Sequence, residues 1–183
     1  MKSFRVGVFC MFACLWLASA AFSLAQEMPE MGPPKQMKAV AFMVGHWKSD
    51  NFQFRMEPQA DWQTASMTMQ VESILDGCAQ RSILKGQLMG MDFSGVATLS
   101  YSRESGKWQS SWIDNMAASQ LMTEGDLKDG VFTLTGKDRQ MGQEYWLKDI
   151  TKKISDSEIE WKMDMSFDGQ NWFTNMKATY RKQ

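Results

Sequence analysis

Phe42-Met-Val-Gly-His-Trp47 is the stretch that decides the fold of this 183-residue chain. Just before it, over 35–43, Met37, Val40, Ala41 and Val44 recur near helical spacing, which predicts one or two amphipathic turns. From Trp47 almost to Gln183 the period becomes two, and short alternating runs are separated by turn residues. A helix ending at Gly-x-Trp and handing over to strands predicts a sheet with a helix at one end.

The alternation assigns faces. Segment 65–75 puts Met67, Met69, Val71, Ser73 and Leu75 on one side and Ser66, Thr68, Gln70 and Glu72 on the other. Asp76-Gly77 then signals a hairpin. Segment 92–102 groups Phe93, Gly95, Ala97, Leu99 and Tyr101, and 107–114 groups Trp108, Ser110, Trp112 and Asp114. Segment 158–166 alternates Ile159, Trp161, Met163 and Met165 with charged residues. Segment 171–181 lines up Trp172, Thr174, Met176, Ala178 and Tyr180. Asp126-Leu-Lys-Asp129 and Ile154-Ser-Asp-Ser157 read as turns. About nine or ten strands joined only by hairpins are expected to close, because closure removes unpaired edges. The expected fold is all-β: a lipocalin-like antiparallel up-and-down β-barrel of about ten strands with a short N-terminal helix.

The N-terminus reads as an address. Lys2 and Arg5 precede an apolar run over 6–18, too short to span a bilayer comfortably, and Ser23-Leu24-Ala25 suits signal peptidase. The expected organisation is a signal peptide over 1–25, a Pro/Met-rich leader over 26–34 and one barrel domain over 35–183. Cleavage would remove two cations and no acid, leaving a mildly acidic chain without a basic stripe. That argues against nucleic acid and against anionic membrane surfaces as partners, and no membrane insertion is expected after cleavage. Two of three cysteines would leave with the signal, so Cys78 has no intramolecular disulfide partner and reads as a small apolar residue beside a turn.

Several stretches carry a family resemblance: Met31-Gly-Pro-Pro-Lys-Gln-Met37, Phe42-Met-Val-Gly-His-Trp47, Ser111-Trp-Ile-Asp-Asn-Met116 with Met122-Thr-Glu-Gly125, and Met176-Lys-Ala-Thr-Tyr-Arg181. Together they resemble the domain of unknown function 1579 family, most specifically through Trp-Ile-Asp-Asn-Met. The resemblance implies a lipocalin-like (calycin) barrel in secreted or cytoplasmic bacterial proteins. It brings no catalytic residues to carry over.

The chemistry available is narrow. With His46 the single histidine, no catalytic triad or multi-histidine zinc site can be assembled. One histidine can ligate haem iron, but His46 and Trp47 point to opposite faces of a strand, so a Trp47 that plugs the barrel leaves His46 outside or under the helix. Met28, Met31 and Met37 form a thioether trio suited to Cu(I); a plain linker is the competing reading. Seventeen methionines exceed ordinary usage, and three pairs at i, i+2 (Met67/Met69, Met89/Met91 and Met163/Met165) each share a strand face; Met67/Met69 and Met163/Met165 fall on apolar faces, where flexible thioethers suit either a varied apolar ligand or a tapered core. Asp114, sharing a face with Trp108 and Trp112, is either a polar contact for a ligand or the cap of a turn begun by Asp114-Asn115. No phosphate loop, serine nucleophile motif or paired cysteine motif is present.

The leading expectation is an exported bacterial protein, periplasmic or secreted, that binds a small, largely apolar molecule without chemistry. Trp112, Met67, Met69, Trp161 and Met163 would line the cavity, with Asp114 and Arg81 as polar contacts. No cofactor is assigned. The alternatives are a packed structural or interaction protein of the cell envelope, and a small hydrolase or isomerase using Asp114.

Overall fold

The computed structural model describes residues 30–140 and 142–183. The segment expected to be a signal peptide and the expected leader as far as residue 29, Met28 included, lie outside the described residues. A 3-10 helix, Lys35–Met43, leads into ten strands: β1 Gly45–Phe54, β2 Gln63–Ile74, β3 Ala79–Leu88, β4 Met91–Ser102, β5 Lys107–Asp114, β6 Leu121–Lys128, β7 Val131–Gln140, β8 Gln143–Ser155, β9 Glu158–Ser166 and β10 Phe173–Lys182. Each strand pairs antiparallel with its sequence neighbours, and β1 pairs with β10, so the sheet closes into an up-and-down barrel. Among the described residues no helix is long and apolar enough to cross a membrane.

The helix closes one end of the barrel, and the barrel in turn completes the helix. Nine residues is long for a 3-10 helix, whose hydrogen bonds are poorer than those of an α-helix. Its last carbonyls have no partner inside the helix. Side chains of the barrel supply them: the Trp47 indole donates to the Met43 carbonyl at 2.6 Å, Gln80 Nε2 to that of Val40 at 2.8 Å and Lys182 Nζ to that of Phe42 at 2.8 Å. Met37 and Val40 point inward and pack with Trp108, Phe132 and Leu134. Trp47 is fully buried at the head of a second cluster with Phe52, Met67 and Tyr180. Burying a side chain of this size contributes about 1.5–3 kcal/mol. Gly45, three residues after Phe42, has φ 135°, a conformation natural to glycine, and a Cβ there would press on the Lys182 side chain.

The register follows the expected faces over most of the chain and departs from them at four places. Leu75, expected inside, is 72% exposed in the turn between β2 and β3, where Leu75, Asp76 and Gly77 all have positive φ. Met89 belongs to a two-residue hairpin turn with Gly90, at φ 54° and 75°, so it shares no strand face with Met91. The expected turn over 126–129 shrinks to Asp129-Gly130, at φ 51° and 77°, which extends β6 so that Leu127 joins the core and Asp126 ion-pairs with Lys107 at 2.8 Å. Finally, β10 bulges between Thr174 and Met176. The extra residue reverses the phase, so Met176, Ala178 and Tyr180 face in while Thr174 and Trp172 face out, Trp172 beneath Lys148 Nζ at 3.8 Å.

Candidate functional site

The helix seals the end of the barrel where β1 begins. At the opposite end, β5 finishes and β8 starts, and the inward residues there are Trp112, Asp114, Asp138 and Tyr145. Trp161 and Met163 of β9 lie deeper, opposite Thr151 and Asp149 of β8. Their outward neighbours, Glu160, Lys162 and Lys148, fix this orientation by alternation.

Of the residues expected to line a cavity, Met69, Trp112, Trp161 and Met163 face inward and keep part of their surface accessible. Met67 also faces inward but is fully buried, wedged between Ser49 of β1 and Gly86 of β3, so it belongs to the packed core. Arg81 is not inside. It stands on the outer face of β3 and ion-pairs with Glu72 across the β2–β3 ladder, because it falls on the opposite phase from Gln80 and Ser82.

Asp114 ends β5 at the rim. Its Oδ1 accepts from the backbone N–H groups of Met116 at 2.9 Å and Ala117 at 2.8 Å, and its Oδ2 from the Trp112 indole at 2.8 Å. It therefore both caps its turn and holds Trp112 in place. The Trp112 ring stacks near Phe93, centroids 6.2 Å apart, and lies directly on Gly95 of β4, where a Cβ would approach the ring to 2.3 Å. Across the rim, the Tyr145 hydroxyl donates to Asp138 Oδ2 at 2.9 Å. Burial, that bond and the nearby charges of Asp138 and Asp114 push the Tyr145 hydroxyl well above its ordinary pKa.

The acid that the strand pattern alone did not single out is Asp149. Its Oδ2 accepts from the Trp161 indole at 3.1 Å and its Oδ1 from the Thr151 hydroxyl at 3.3 Å. Burial raises its pKa, against the lowering effect of these two bonds. Its charge, after burial itself, raises the pKa of Tyr180 on β10. Asp149 sits deep in the protein and still keeps part of its surface accessible. The signal for Asp149 was present as the alternation Tyr145, Leu147, Asp149, Thr151, but Trp146 and Ile150 make the other face of β8 look equally apolar.

The remaining candidates do not gather. His46 is exposed on the outer face beside the buried Trp47. Met31 is 85% exposed while Met37 is buried on the inner side of the helix, so the structure does not expose both of these thioethers together. Among the described residues no three His, Cys, Asp or Glu side chains converge as a cation site. Cys78 is half-buried beside the β2–β3 turn, where its N–H donates to the Leu75 carbonyl at 3.0 Å. An open cleft of about 550 Å³ lies by Phe54, Ala65 and Met89 near the β3–β4 hairpin. Its lining carries no titratable side chain.

With the barrel and its interior described, comparison with known proteins places the chain. The model of the protein family of unknown function DUF1579 matches residues 32–182. The chain belongs to the DUF1579 family. The match spans the lead-in helix and all ten strands, so the DUF1579 domain and the barrel coincide. No curated protein matches. Among solved structures this DUF1579 chain is similar to that titled "Crystal Structure of Rv2717c from M. tuberculosis", with a TM-score of 0.58 and 10% identity over 82% of this chain and 99% of that one. At that identity the likeness concerns the fold.

Proposed function

We propose that this DUF1579 barrel is a non-catalytic binding protein, exported by its N-terminal segment, that holds a small, largely apolar molecule in its lumen. The observation carrying this reading is the residual accessibility of inward-facing Trp161, Met69 and Met163, which lie below the rim. In a barrel packed solid these side chains would lose all contact with solvent. Aromatic rings and thioethers around an enclosed space suit an apolar guest, with a few polar groups to orient it. Asp114 supports binding over catalysis, since its hydrogen bonds go to its own turn and to Trp112.

The test is a fluorescence titration with N-phenyl-1-naphthylamine, an uncharged apolar probe. Binding with enhanced emission is expected, weakened by Trp112→Ala and by Met163→Ala. A probe that never binds, or binds equally well to both variants, removes the lumen assignment.

One outer feature favours a second reading, an interaction protein of the cell envelope. Ile83, Val96 and Ile113 form an outward apolar row across β3, β4 and β5, with Ile113 46% and Met122 58% exposed nearby. If this strip were the working surface, Ile113→Glu with Met122→Glu would reproduce the phenotype of deleting the gene while leaving probe binding intact.

A further inference from the structure

We propose that the guest of the lumen is an organic cation, an amine or ammonium compound with an apolar body, whose charged nitrogen sits against the Asp149 carboxylate. This rests on the lumen reading above and adds the chemical class of the ligand.

The argument begins with which charges the strands turn inward. Acids face in at Asp149, in the body of the barrel, and at Asp138 and Asp114 towards the rim. The cations on inward phases, Lys153 and Lys182, are both at the helix end and both committed: Lys153 Nζ pairs with Asp156 at 2.6 Å and lies 4.4 Å from the centre of the Phe42 ring, while Lys182 Nζ donates to the Phe42 carbonyl and stands 5.3 Å from the centre of the Trp47 ring. The lumen is thus acidic, inside a barrel whose outer face carries abundant lysine and arginine.

Asp149 differs from the two rim acids. Asp114 is occupied by two backbone N–H groups and an indole, and Asp138 accepts from the Tyr145 hydroxyl and from the Arg139 N–H at 2.7 Å. Asp149 has two uncharged donors at 3.1 and 3.3 Å for roughly four lone-pair positions. The groups packed around it carry no positive charge: Leu134 faces it from β7, Met163 and Trp161 from β9, Thr151 from its own strand, and Tyr180 of β10 is its titratable neighbour. An enclosed carboxylate without a counter-charge is costly, and it is relieved by a proton or by a cation from outside. Asp149 keeps part of its surface accessible, so on the lumen reading a cation entering the barrel can reach it. Around it, the Met163 thioether and the Trp161 ring offer apolar and π surface for the rest of an organic cation, which a hydrated metal ion would not use.

A calorimetric comparison of three ligands of equal chain length tests this: decylamine, decanol and decanoate, each below its aggregation limit, titrated into the whole protein at neutral pH. Decylamine is expected to bind about tenfold tighter than decanol or better, and decanoate weakest. Asp149→Asn, which keeps the shape and removes the charge, should abolish the preference for the amine, bringing decylamine to within about twofold of decanol. If all three bind alike, or decanoate binds best, the cation assignment is overturned while the lumen reading stands. A preference for the amine that persists in Asp149→Asn overturns the role of Asp149. If neither these ligands nor the naphthylamine probe binds, the lumen reading falls and takes this one with it. The wild-type comparison needs no variant, so it decides the ligand class even if Asp149→Asn folds poorly.

Discussion

The indole of Trp161 donates to the carboxylate of Asp149 at 3.1 Å, inside the barrel and between adjacent strands. The pair has a counterpart at the rim, where the Trp112 indole donates to Asp114 at 2.8 Å. In both pairs a large aromatic plate is fixed by an acid, and in both the acid lies on the inward face. The rim pair ends in backbone N–H groups and the deep pair in a single hydroxyl, so the deep acid is the less satisfied of the two.

Removing the deep donor should therefore be felt. Trp161→Phe keeps a ring that can stack on Phe52, whose centroid lies 5.8 Å from that of Trp161, but deletes the indole N–H. A loss of about 1 kcal/mol in urea unfolding is expected. The pKa of Asp149, followed by carboxyl-carbon NMR, should move further up, because a bond that favours the charged form is gone.

Asp149 also sets a pH dependence of stability. Its folded pKa is raised above the unfolded value of about 3.9. The proton-linked stability is therefore fully present below the unfolded pKa and is lost as pH rises through the folded pKa. Asp149→Asn, neutral at every pH, should melt higher than wild type at neutral pH, with the gap closing on acidification. Thermal melts at several pH values check this, and a variant that melts lower at neutral pH would contradict it.

Asp168 should act with the opposite sign. In the β9–β10 turn its Oδ1 accepts from the N–H groups of Gln170 at 2.8 Å and Asn171 at 2.7 Å and from the Ser166 hydroxyl at 2.9 Å, while Oδ2 accepts from Asn171 Nδ2 at 2.6 Å. The backbone bonds first, then the side-chain bonds, hold its carboxyl far below the usual carboxylate range. Its stabilisation is present above the unfolded pKa and lost as pH falls through the folded one. Asp168→Ala is expected to lower the melting temperature at neutral pH and to flatten the acid limb of the stability profile.

Gly95 and Trp112 should prove coupled. A methyl group at 95 would meet the indole ring, which cannot bend aside, so Gly95→Ala must displace Trp112 and strain its bond to Asp114. A loss of roughly 1–3 kcal/mol is expected. In a Trp112→Leu background the same change should be nearly silent, and a double-mutant cycle measures the difference.

Much of this was legible in the strand alternation. The inward sets Trp108–Trp112–Asp114 and Ile159–Trp161–Met163 follow from period two alone, and so does the exposure of His46 beside a buried Trp47. The Asp114-Asn115 turn likewise signalled the rim. Arg81 was misplaced because it was chosen for its charge, against its own phase: Gln80 and Ser82 are the inward residues of β3. Trp172 was misplaced because a bulge leaves no mark in hydrophobicity, and one extra residue after Thr174 reverses every later side chain.

The sequence by itself determined the closed ten-stranded barrel and the helix at its end, because local alternation and turn chemistry are properties of neighbouring residues. Tertiary structure alone decided which acid is enclosed. Asp149 reads as one charge among many on a strand with two plausible faces. It becomes an enclosed carboxylate without a counter-ion only when β9 lays Trp161 and Met163 beside it and β10 adds Tyr180. Burial and pairing are sums over strands far apart in the chain, and no local pattern contains them.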